Sequence, residues 1–261
     1  MAGRGLILAA PASGSGKTLI VAGLLRHFRR RGMRVAATKA GPDYIDPTFH
    51  AAASGGPCIN LDVWAMRPAT LAALAGGPQS DADLVLCEGV MGLFDGTGPD
   101  GETGSTAALA HCTGWPVVLV VDARGQGASA AALIAGFARH DPALPLAGII
   151  FNRVAGPRHR AILEAALARH LPGLPCFGCM PQQAELALPE RHLGLVPADE
   201  AEEGEAVIER AAAIVESALD IDGLIGLARS SSLGRSAPTV LLPPLGQSVA
   251  VARDDASPLR L

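Results

Sequence analysis

A short run of glycine, serine and lysine near the start of the chain has the spacing that binds nucleotide phosphates. It reads Ser13-Gly14-Ser15-Gly16-Lys17-Thr18 and lies between an apolar stretch and a helical pattern. Backbone N–H groups of such a turn point at phosphate oxygens, and the N-terminus of the next helix adds partial positive charge. We expect Lys17 to reach the β- and γ-phosphates and the Thr18 hydroxyl to bind Mg²⁺. The general pattern has glycine where this chain has Pro11, so an ordinary glycine-rich turn is the alternative.

Acidic side chains near the ends of two predicted strands are candidates for a metal or substrate site. Glu88 directly follows the apolar run 83–87, where phosphate-loop enzymes keep a magnesium carboxylate. Residues 39–47 read Lys39-Ala40-Gly41-Pro42-Asp43-Tyr44-Ile45-Asp46-Pro47 and follow the run 34–38. Loops at the carboxyl ends of strands form the ligand crevice of open α/β sheets. Asp43 and Asp46 could therefore hold Mg²⁺ or position a substrate, and an acidic turn without function is the alternative.

Two more polar side chains follow predicted strands. Asp95 lies in the glycine-rich run after Glu88, where the backbone can approach a ligand closely. Asn152 follows the run 146–151, and its amide has both the donor and the acceptor needed to pair with a purine edge. A simple turn-forming asparagine is the alternative at that position.

Alternating strands and helices must bring these loops together. Apolar runs predict strands at 6–10, 34–38, 83–87, 115–121, 146–151 and 175–179. Helical spacing predicts helices at 17–28, 68–74, 105–111, 128–139, 158–170, 206–219 and 222–228. The stretch that closes at Asn60-Leu61-Asp62 is interpreted as a loop rich in Gly and Pro. This alternation predicts an α/β fold of the phosphate-loop NTPase type, with a doubly wound, mostly parallel sheet.

Composition excludes several classes of partner. The formal net charge is −4, so no basic field indicates nucleic acid. Five arginines between positions 26 and 34 are expected to form a solvated face. No apolar run approaches the roughly twenty residues that span a bilayer, and no signal peptide is recognised. We therefore expect a cytoplasmic protein with no nucleic-acid or membrane partner.

The cysteines do not indicate a disulfide framework. Their odd count of five suits a reducing compartment. Cys176-Phe177-Gly178-Cys179 has C-x-x-C spacing, but no second pair or nearby histidine ligand accompanies it. The spacing is therefore interpreted as structural, with metal binding or redox use as the alternative.

A change of composition after residue 228 predicts the domain organisation. Residues 229–236 are rich in serine and arginine, as in a linker. Residues 248–253 alternate in hydrophobicity like the first strand of another domain. We expect one domain at 1–228, a linker at 229–247 and the start of a truncated domain at 248–261.

The motifs together resemble a known enzyme family. Segments 10–18, 39–47, 88–96 and 188–197 are similar to those of the cobyrinate or hydrogenobyrinate a,c-diamide synthases, phosphate-loop amidoligases related to dethiobiotin synthetase. In that family Pro11 is an accepted start of the loop. The resemblance implies that ATP phosphorylates the c and then the a acetate side chain of a corrin macrocycle. Ammonia then attacks each acyl phosphate to give a primary amide.

The resemblance also implies roles for individual residues. The chemistry of the residues agrees: ATP would be bound by the phosphate loop with Asn152, and Mg²⁺ by Thr18 and Glu88 with Asp43 or Asp46 as a further ligand. Lys39 would neutralise charge beside the γ-phosphate. Asp43, Tyr44 and Ile45 would lie near the reacting carboxylate, and Asp95 would influence the intermediate or the attack by ammonia.

Partners follow from the same resemblance. Family members obtain ammonia from glutamine through a C-terminal glutaminase domain, whose first strand residues 248–253 resemble. None of the five cysteines lies in a suitable nucleophile turn, so we expect the glutaminase half to be missing. The expected partners are a corrinoid substrate and ammonia or a glutaminase, and a homodimer is plausible because relatives place sites near subunit contacts.

Two alternative functions are also compatible with a phosphate loop. A ligase of the dethiobiotin-synthetase type would carboxylate a diamine, but segment 41–47 and the tail argue against it. A partitioning-type ATPase switch would bind membrane or DNA. Such switches usually carry a second lysine near the start of the loop, where this chain has Pro11 and Ala12.

Overall fold

The protein is described by a computed structural model that covers residues 4–76, 81–98, 101–183, 190–191, 194–195 and 204–233. The strands are β1 (Arg4–Ala9), β2 (Val35–Ala40), β3 (Cys58–Leu61), β4 (Leu84–Glu88), β5 (Val117–Asp122), β6 (Leu146–Val154), β7 (Cys176–Pro181), β8 (Glu190–Arg191), β9 (Gly194–Leu195) and β10 (Arg229–Ser230). The helices are α1 (Lys17–Arg30), α2 (Asp46–Ser54), α3 (Pro68–Gly76), α4 (Thr106–Thr113), α5 (Ser129–His140), α6 (Pro157–His170), α7 (Gly204–Ala218) and α8 (Ile221–Leu227).

The main sheet is parallel, in the order β3-β2-β4-β1-β5-β6-β7, and β10 pairs with β1 in the antiparallel sense. Successive side chains of β1 point to opposite faces. Ile7 packs in a core with α3 to α6, whereas Leu6 and Leu8 pack in a second core with α1, α2, α7 and α8. Helices cover both faces, so the predicted doubly wound α/β fold is confirmed.

The segment between β2 and α3 differs from its prediction. Lys39 and Ala40 belong to β2, Asp46 and Pro47 begin α2, and Asn60 lies in β3. The prediction of a loop in this stretch was therefore wrong, because the stretch contains helix α2 and strand β3. β3 is a four-residue strand at the edge of the sheet, and only its last residue is buried. It therefore lacks the apolar run that marked the central strands.

The predicted solvated arginine face is wrong for Arg26, which is buried. Its guanidinium donates to the carboxylates of Glu205 and Glu209 on α7, and to the carbonyls of Ala52 and Ala53. Helix α7 packs on α1 and covers this face. Sequence spacing could not show that a helix almost two hundred residues later supplies the partner charges.

The residues after α8 continue on the domain as far as the structure describes them. Arg229 and Ser230 form β10, and the Ser232 N–H donates to the Thr113 carbonyl over 2.7 Å. Residues 234–247 of the predicted linker and the whole predicted second domain lie outside the described residues, and so does most of segment 188–197. The domain boundaries therefore stay a prediction. Within the described ranges, no helix combines the length and apolar character that crossing a membrane requires.

Two helix glycines test how tightly α1 packs on α7. A Cβ on Gly23 would lie 2.9 Å from the backbone C and O of Ala211, whereas a Cβ on Gly136 in α5 would meet nothing within 4 Å. Alanine favours a helix over glycine by about 1 kcal/mol, and overpacking costs about 1–3 kcal/mol. We expect Gly136→Ala to raise the free energy of unfolding and Gly23→Ala to lower it in urea denaturation. Equal effects of the two variants would contradict the close approach.

Candidate functional site

The phosphate loop lies between β1 and α1 with the backbone geometry that its glycines permit. Gly14 and Gly16 have φ of 72° and 88°, a left-handed conformation that costs glycine little. A Cβ on Gly16 would also lie 2.2 Å from the amide nitrogen of Asn152. Ser15 is buried and donates its hydroxyl to the Ala12 carbonyl over 2.8 Å. Ser13 and Gly14 are exposed at the tip of the loop.

The end of β6 holds the phosphate loop from the side. The Asn152 amide donates to the Ser15 carbonyl over 2.8 Å, and its oxygen accepts from the Arg153 N–H. Arg153 donates to the Gly14 carbonyl over 2.7 Å and pairs with Asp122 at 2.6 Å. Both amide atoms of Asn152 thus have partners in the protein, and its contact with a purine stays a prediction. Neither Arg153 nor Asp122 was predicted from the sequence as a site residue, although Asp122 is the last residue of β5 and Arg153 the last but one of β6.

Lys17 connects the phosphate loop to the loop after β4. Its ammonium donates to the Met91 carbonyl over 2.7 Å, and the side chain is buried. Burial lowers the pKa of Lys17, and the nearby Glu88 charge opposes that shift. Asp95 accepts from the Gly92 N–H over 2.9 Å and so stabilises the turn that contains Met91. The structure therefore brings Lys17 and the Asp95 turn together.

Glu88 is the buried acceptor at the centre of the site, with 1% of its surface exposed. The Thr18 hydroxyl donates to Oε1 over 2.8 Å, the Lys39 ammonium lies 3.1 Å from the same oxygen, and His50 Nε2 contacts Oε2. Burial alone would raise the pKa of Glu88, but Lys39 and His50 outweigh it and lower that pKa to about 2. The carboxylate is therefore ionised.

Lys39 places one positive charge among three carboxylates. Its ammonium lies 2.6 Å from Asp46, 3.1 Å from Glu88 and 3.7 Å from Asp43. Burial would lower the pKa of Lys39, but these negative charges raise it. Burial and the Glu88 charge raise the pKa of Asp46 to about 6. The four predicted residues thus form one ion cluster beside the phosphate loop.

The loop that follows β2 has a fixed backbone. Asp43 Oδ1 accepts from the Ile45 N–H over 2.9 Å. Asn60 on β3 donates to the carbonyls of Gly41 and Asp43 over 2.7 and 2.6 Å. Ile45 packs partly against the core, whereas Tyr44 points outward with 52% of its surface exposed. This loop therefore presents Asp43 inward to Lys39 and Tyr44 to solvent.

The oxygen donors near the phosphate loop fit Mg²⁺. Thr18 Oγ1 and Glu88 Oε1 lie 2.8 Å apart, and hydroxyl and carboxylate oxygens are ligands that Mg²⁺ prefers. Protein sites for this ion commonly supply one or two such oxygens and leave the rest to phosphates and water. Glu88 Oε1 also lies 3.1 Å from the Lys39 ammonium, so it would share its charge between Lys39 and the ion. The Asp46 carboxylate is paired with Lys39 at 2.6 Å, so it would have to leave that ammonium to become a further ligand.

Sequence analysis missed His50, which is fully buried and contacts Glu88. It lies on α2, a helix that the sequence did not predict. Its other ring nitrogen has no partner among the described residues. A histidine inside an apolar stretch resembles an ordinary core residue, so only the fold could show that it faces a carboxylate.

The C-x-x-C pair lies away from this site, in β7. Gly178 has a φ of 134°, and the pairing with β6 is irregular there. Among the described residues, the sulfur atoms of Cys176 and Cys179 and an oxygen of Glu164 form a group of possible metal ligands within 4.8 Å of one another. Glu164 is already paired with Arg160 at 2.8 Å, so its negative charge is balanced without an ion.

Fold and site together define a phosphate-loop nucleotide-binding domain. The model of the family described as "CobQ/CobB/MinD/ParA nucleotide binding domain" matches residues 6–196. The chain belongs to this family, and the match confirms nucleotide binding as its general property.

Curated relatives that share about half of their aligned residues with this chain are longer proteins. The chain is 51% identical over 255 residues to the hydrogenobyrinate a,c-diamide synthase of Rhodobacter capsulatus, covering 97% of this chain and 58% of that protein. It is 50% identical over 252 residues to the protein of that name from Rhizobium meliloti, covering 97% and 57%. These relatives confirm the family resemblance seen in the motifs. The chain spans a little under three fifths of their length.

Among solved structures, chloroplast FtsY from Physcomitrella patens is similar in fold. The TM-score is 0.50 at 19% sequence identity, with 80% of this chain and 65% of that chain covered. A likeness at this identity shows the fold alone.

Two arginines test whether β6 holds the phosphate loop. Arg153 and Arg124 both pair with Asp122, but only Arg153 reaches the Gly14 carbonyl. We expect Arg153→Ala to raise the Kd for ATP about tenfold, because one hydrogen bond from a charged group contributes about 1.5 kcal/mol. Arg124→Ala should leave the Kd nearly unchanged in isothermal titration calorimetry. Equal Kd values for the two variants would show that Arg153 does not support the loop.

Proposed function

We propose that this chain catalyses the ATP-dependent activation and amidation of the a and c acetate carboxylates of hydrogenobyrinate, or of the cobalt-containing cobyrinate. The observation that carries the proposal is the convergence of the phosphate loop with the cluster of Lys39, Asp43 and Asp46 through Glu88. That arrangement puts a phosphate-binding loop beside a second charged loop able to receive an acid. The names of the similar relatives support the choice of substrate.

The chemistry needs an activated carboxylate, because a carboxylate anion is a poor electrophile. A carboxylate oxygen of the substrate would attack the γ-phosphorus of ATP, which breaks the bond to the β-phosphate oxygen and gives an acyl phosphate and ADP. Ammonia nitrogen would then attack the acyl carbon, and inorganic phosphate would leave. The protein contributes chiefly by placing the two reactants in line and balancing charge.

Residues of this chain supply that placement. Lys17 is the ammonium of the phosphate loop, and Lys39 is held nearby by carboxylates that keep it charged. Both are proposed to neutralise phosphoryl oxygens during transfer. Thr18 and Glu88 would hold Mg²⁺, with Asp46 as a proposed further ligand. The ion would neutralise charge on the β- and γ-phosphates.

The loop after β2 would bind the carboxylate of the substrate, and the loop after β4 would assist the attack by ammonia. Asp43, Tyr44 and Ile45 are proposed to lie against the reacting carboxylate, since their loop is joined to Lys39. Asp95 is exposed and lies in the turn that Lys17 contacts through Met91. Its carboxylate is proposed to accept a proton from the ammonium formed when ammonia attacks.

The remaining proposals concern partners. The relatives extend beyond the matched region, which leaves room for a unit that makes ammonia from glutamine. We propose ammonia as the nitrogen donor, supplied directly or by such a glutaminase, and residues 1–228 as the ligase domain. A cytoplasmic location and a homodimer are part of the same proposal.

The product test uses the 261-residue chain with ATP, Mg²⁺, an ammonium salt and hydrogenobyrinic acid. We expect ADP and a corrinoid whose mass falls by about 1 Da for each carboxylate converted to an amide. Mass spectrometry of the corrinoid checks this result, and Lys17→Ala is the control because it should abolish nucleotide binding. An unchanged corrinoid mass with both hydrogenobyrinic and cobyrinic acid would contradict the proposed function.

Asp43→Asn tests the acid-binding loop separately from the nucleotide. Asparagine keeps an oxygen that can accept from the Ile45 N–H, but it removes the charge that faces Lys39. We expect the Kd for ATP to stay within about twofold and kcat to fall about tenfold or more, as when one charge of a catalytic site is lost. Asp83→Asn is the matched control, because Asp83 is an exposed carboxylate just before β4, at the amino end of that strand. Equal kcat values for the two variants would remove Asp43 from the site.

A further inference from the structure

Three of the four large exposed apolar side chains that the structure describes lie beside the candidate site. Among the described residues the four are Tyr44, Trp64, Met91 and Ile162, with 52%, 67%, 43% and 43% of their surfaces exposed. The first three follow β2, β3 and β4, which are neighbours in the sheet. Single exposed apolar residues are ordinary, but several at one place indicate a binding surface.

Short contacts join the three loops that carry these side chains. The Gly41 N–H donates to the Leu61 carbonyl over 3.0 Å, which joins the ends of β2 and β3. A Cβ on Gly41 would lie 3.3 Å from the Val90 side chain, which joins the end of β2 to the loop after β4. Tyr44, Trp64 and Met91 therefore belong to one connected rim at the carboxyl edge of the sheet.

The exposed Trp64 has a fixed backbone. The buried Asp62 accepts from the N–H groups of Trp64 and Ala65 over 2.9 and 3.2 Å. A Cβ on Gly104 would lie 3.0 Å from the Trp64 Cβ, so the loop before α4 packs against the base of this side chain. The backbone and the Cβ of Trp64 are thus fixed while its indole is exposed, which suits a preorganised contact surface.

The rim also carries unpaired positive charge. Arg67 is exposed three residues after Trp64, and no side chain that the structure describes pairs with it. Exposed apolar area with an exposed guanidinium beside it fits a ligand that has an apolar body and carboxylates on its periphery.

We propose that Trp64, Tyr44 and Met91 form the surface that receives the corrin ring, and that Arg67 pairs with a peripheral carboxylate that is not being amidated. The inference rests on the proposed function, since a corrin acid has the apolar ring and the rim of carboxylates that this surface fits. ATP bound at the phosphate loop and the ring bound on the rim would meet at the Lys39 cluster.

The two tryptophans make the test direct. Trp115 is fully buried and Trp64 is two-thirds exposed, so a corrinoid that covers the rim should quench chiefly the emission of Trp64. We expect hydrogenobyrinic acid, titrated without ATP, to quench the wild-type protein and to leave Trp64→Phe with little change in emission. Quenching of equal size in Trp64→Phe would place the ligand elsewhere.

Affinity is measured independently by calorimetry and steady-state kinetics. Trp64→Ala should raise the Kd and the KM for the corrinoid about tenfold or more, as expected when one large aromatic contact is lost. Its Kd for ATP should not change, and Trp64→Phe should restore most of the corrinoid affinity. Ile162→Ala is the matched control, since Ile162 is an exposed apolar residue on α6. Arg67→Ala should raise the KM less, and added salt should reduce its difference from wild type.

The outcomes separate this inference from the proposed function. A wild-type protein that neither binds nor amidates a corrinoid would overturn the function and with it the inference. Amidation by wild type with the same KM in Trp64→Ala and Ile162→Ala would overturn the inference alone. Analytical ultracentrifugation completes the test, because a Trp64→Ala variant that dissociates a dimer without changing the corrinoid Kd would show a subunit contact instead.

Discussion

The arrangement of the site depends on one buried negative charge. A buried carboxylate is stable only when hydrogen-bond donors and positive charges surround it. Glu88 has a hydroxyl from α1, an ammonium from β2 and an imidazole from α2 as its partners. Those partners come from three elements that pack around the end of β4. The same contacts that satisfy the charge therefore bring the phosphate loop and the loop after β2 to one place.

The order of the strands separates the phosphate loop from the charged and apolar loops along the carboxyl edge of the sheet. The phosphate loop follows β1, the central strand between β4 and β5. Asn152 and Arg153 at the end of β6 support that loop from one side. On the other side, the loops after β4 and β2 carry the charged cluster. The loops after β4, β2 and β3 also carry the rim of Tyr44, Trp64 and Met91. Nucleotide and proposed acid substrate would thus approach the same buried charge from opposite directions.

The elements that could be predicted from the sequence are those that a few consecutive residues define. The phosphate loop, the strand ending at Glu88 and the central apolar strands could be predicted from a few consecutive residues each. The positions that could not be predicted are those that depend on contacts with residues far away in the sequence. Arg26 is buried because α7 covers it, and His50 faces Glu88 only because α2 forms and packs there. The short edge strand β3 has too few buried residues to show a pattern, yet it holds the Tyr44 loop through Asn60.

The charge balance of the cluster also bears on the proposed cation. Two ammonium groups, of Lys17 and Lys39, face three carboxylates before any ligand is added. A bound triphosphate and a substrate carboxylate would add several negative charges to this partly buried region, where Coulomb repulsion is weakly screened. Burial, together with the neighbouring Glu88 charge, already raises the pKa of Asp46 to about 6. A divalent cation held by Thr18 and Glu88 would offset part of the added charge, and Lys39, which its carboxylate partners hold in place, would offset a further part.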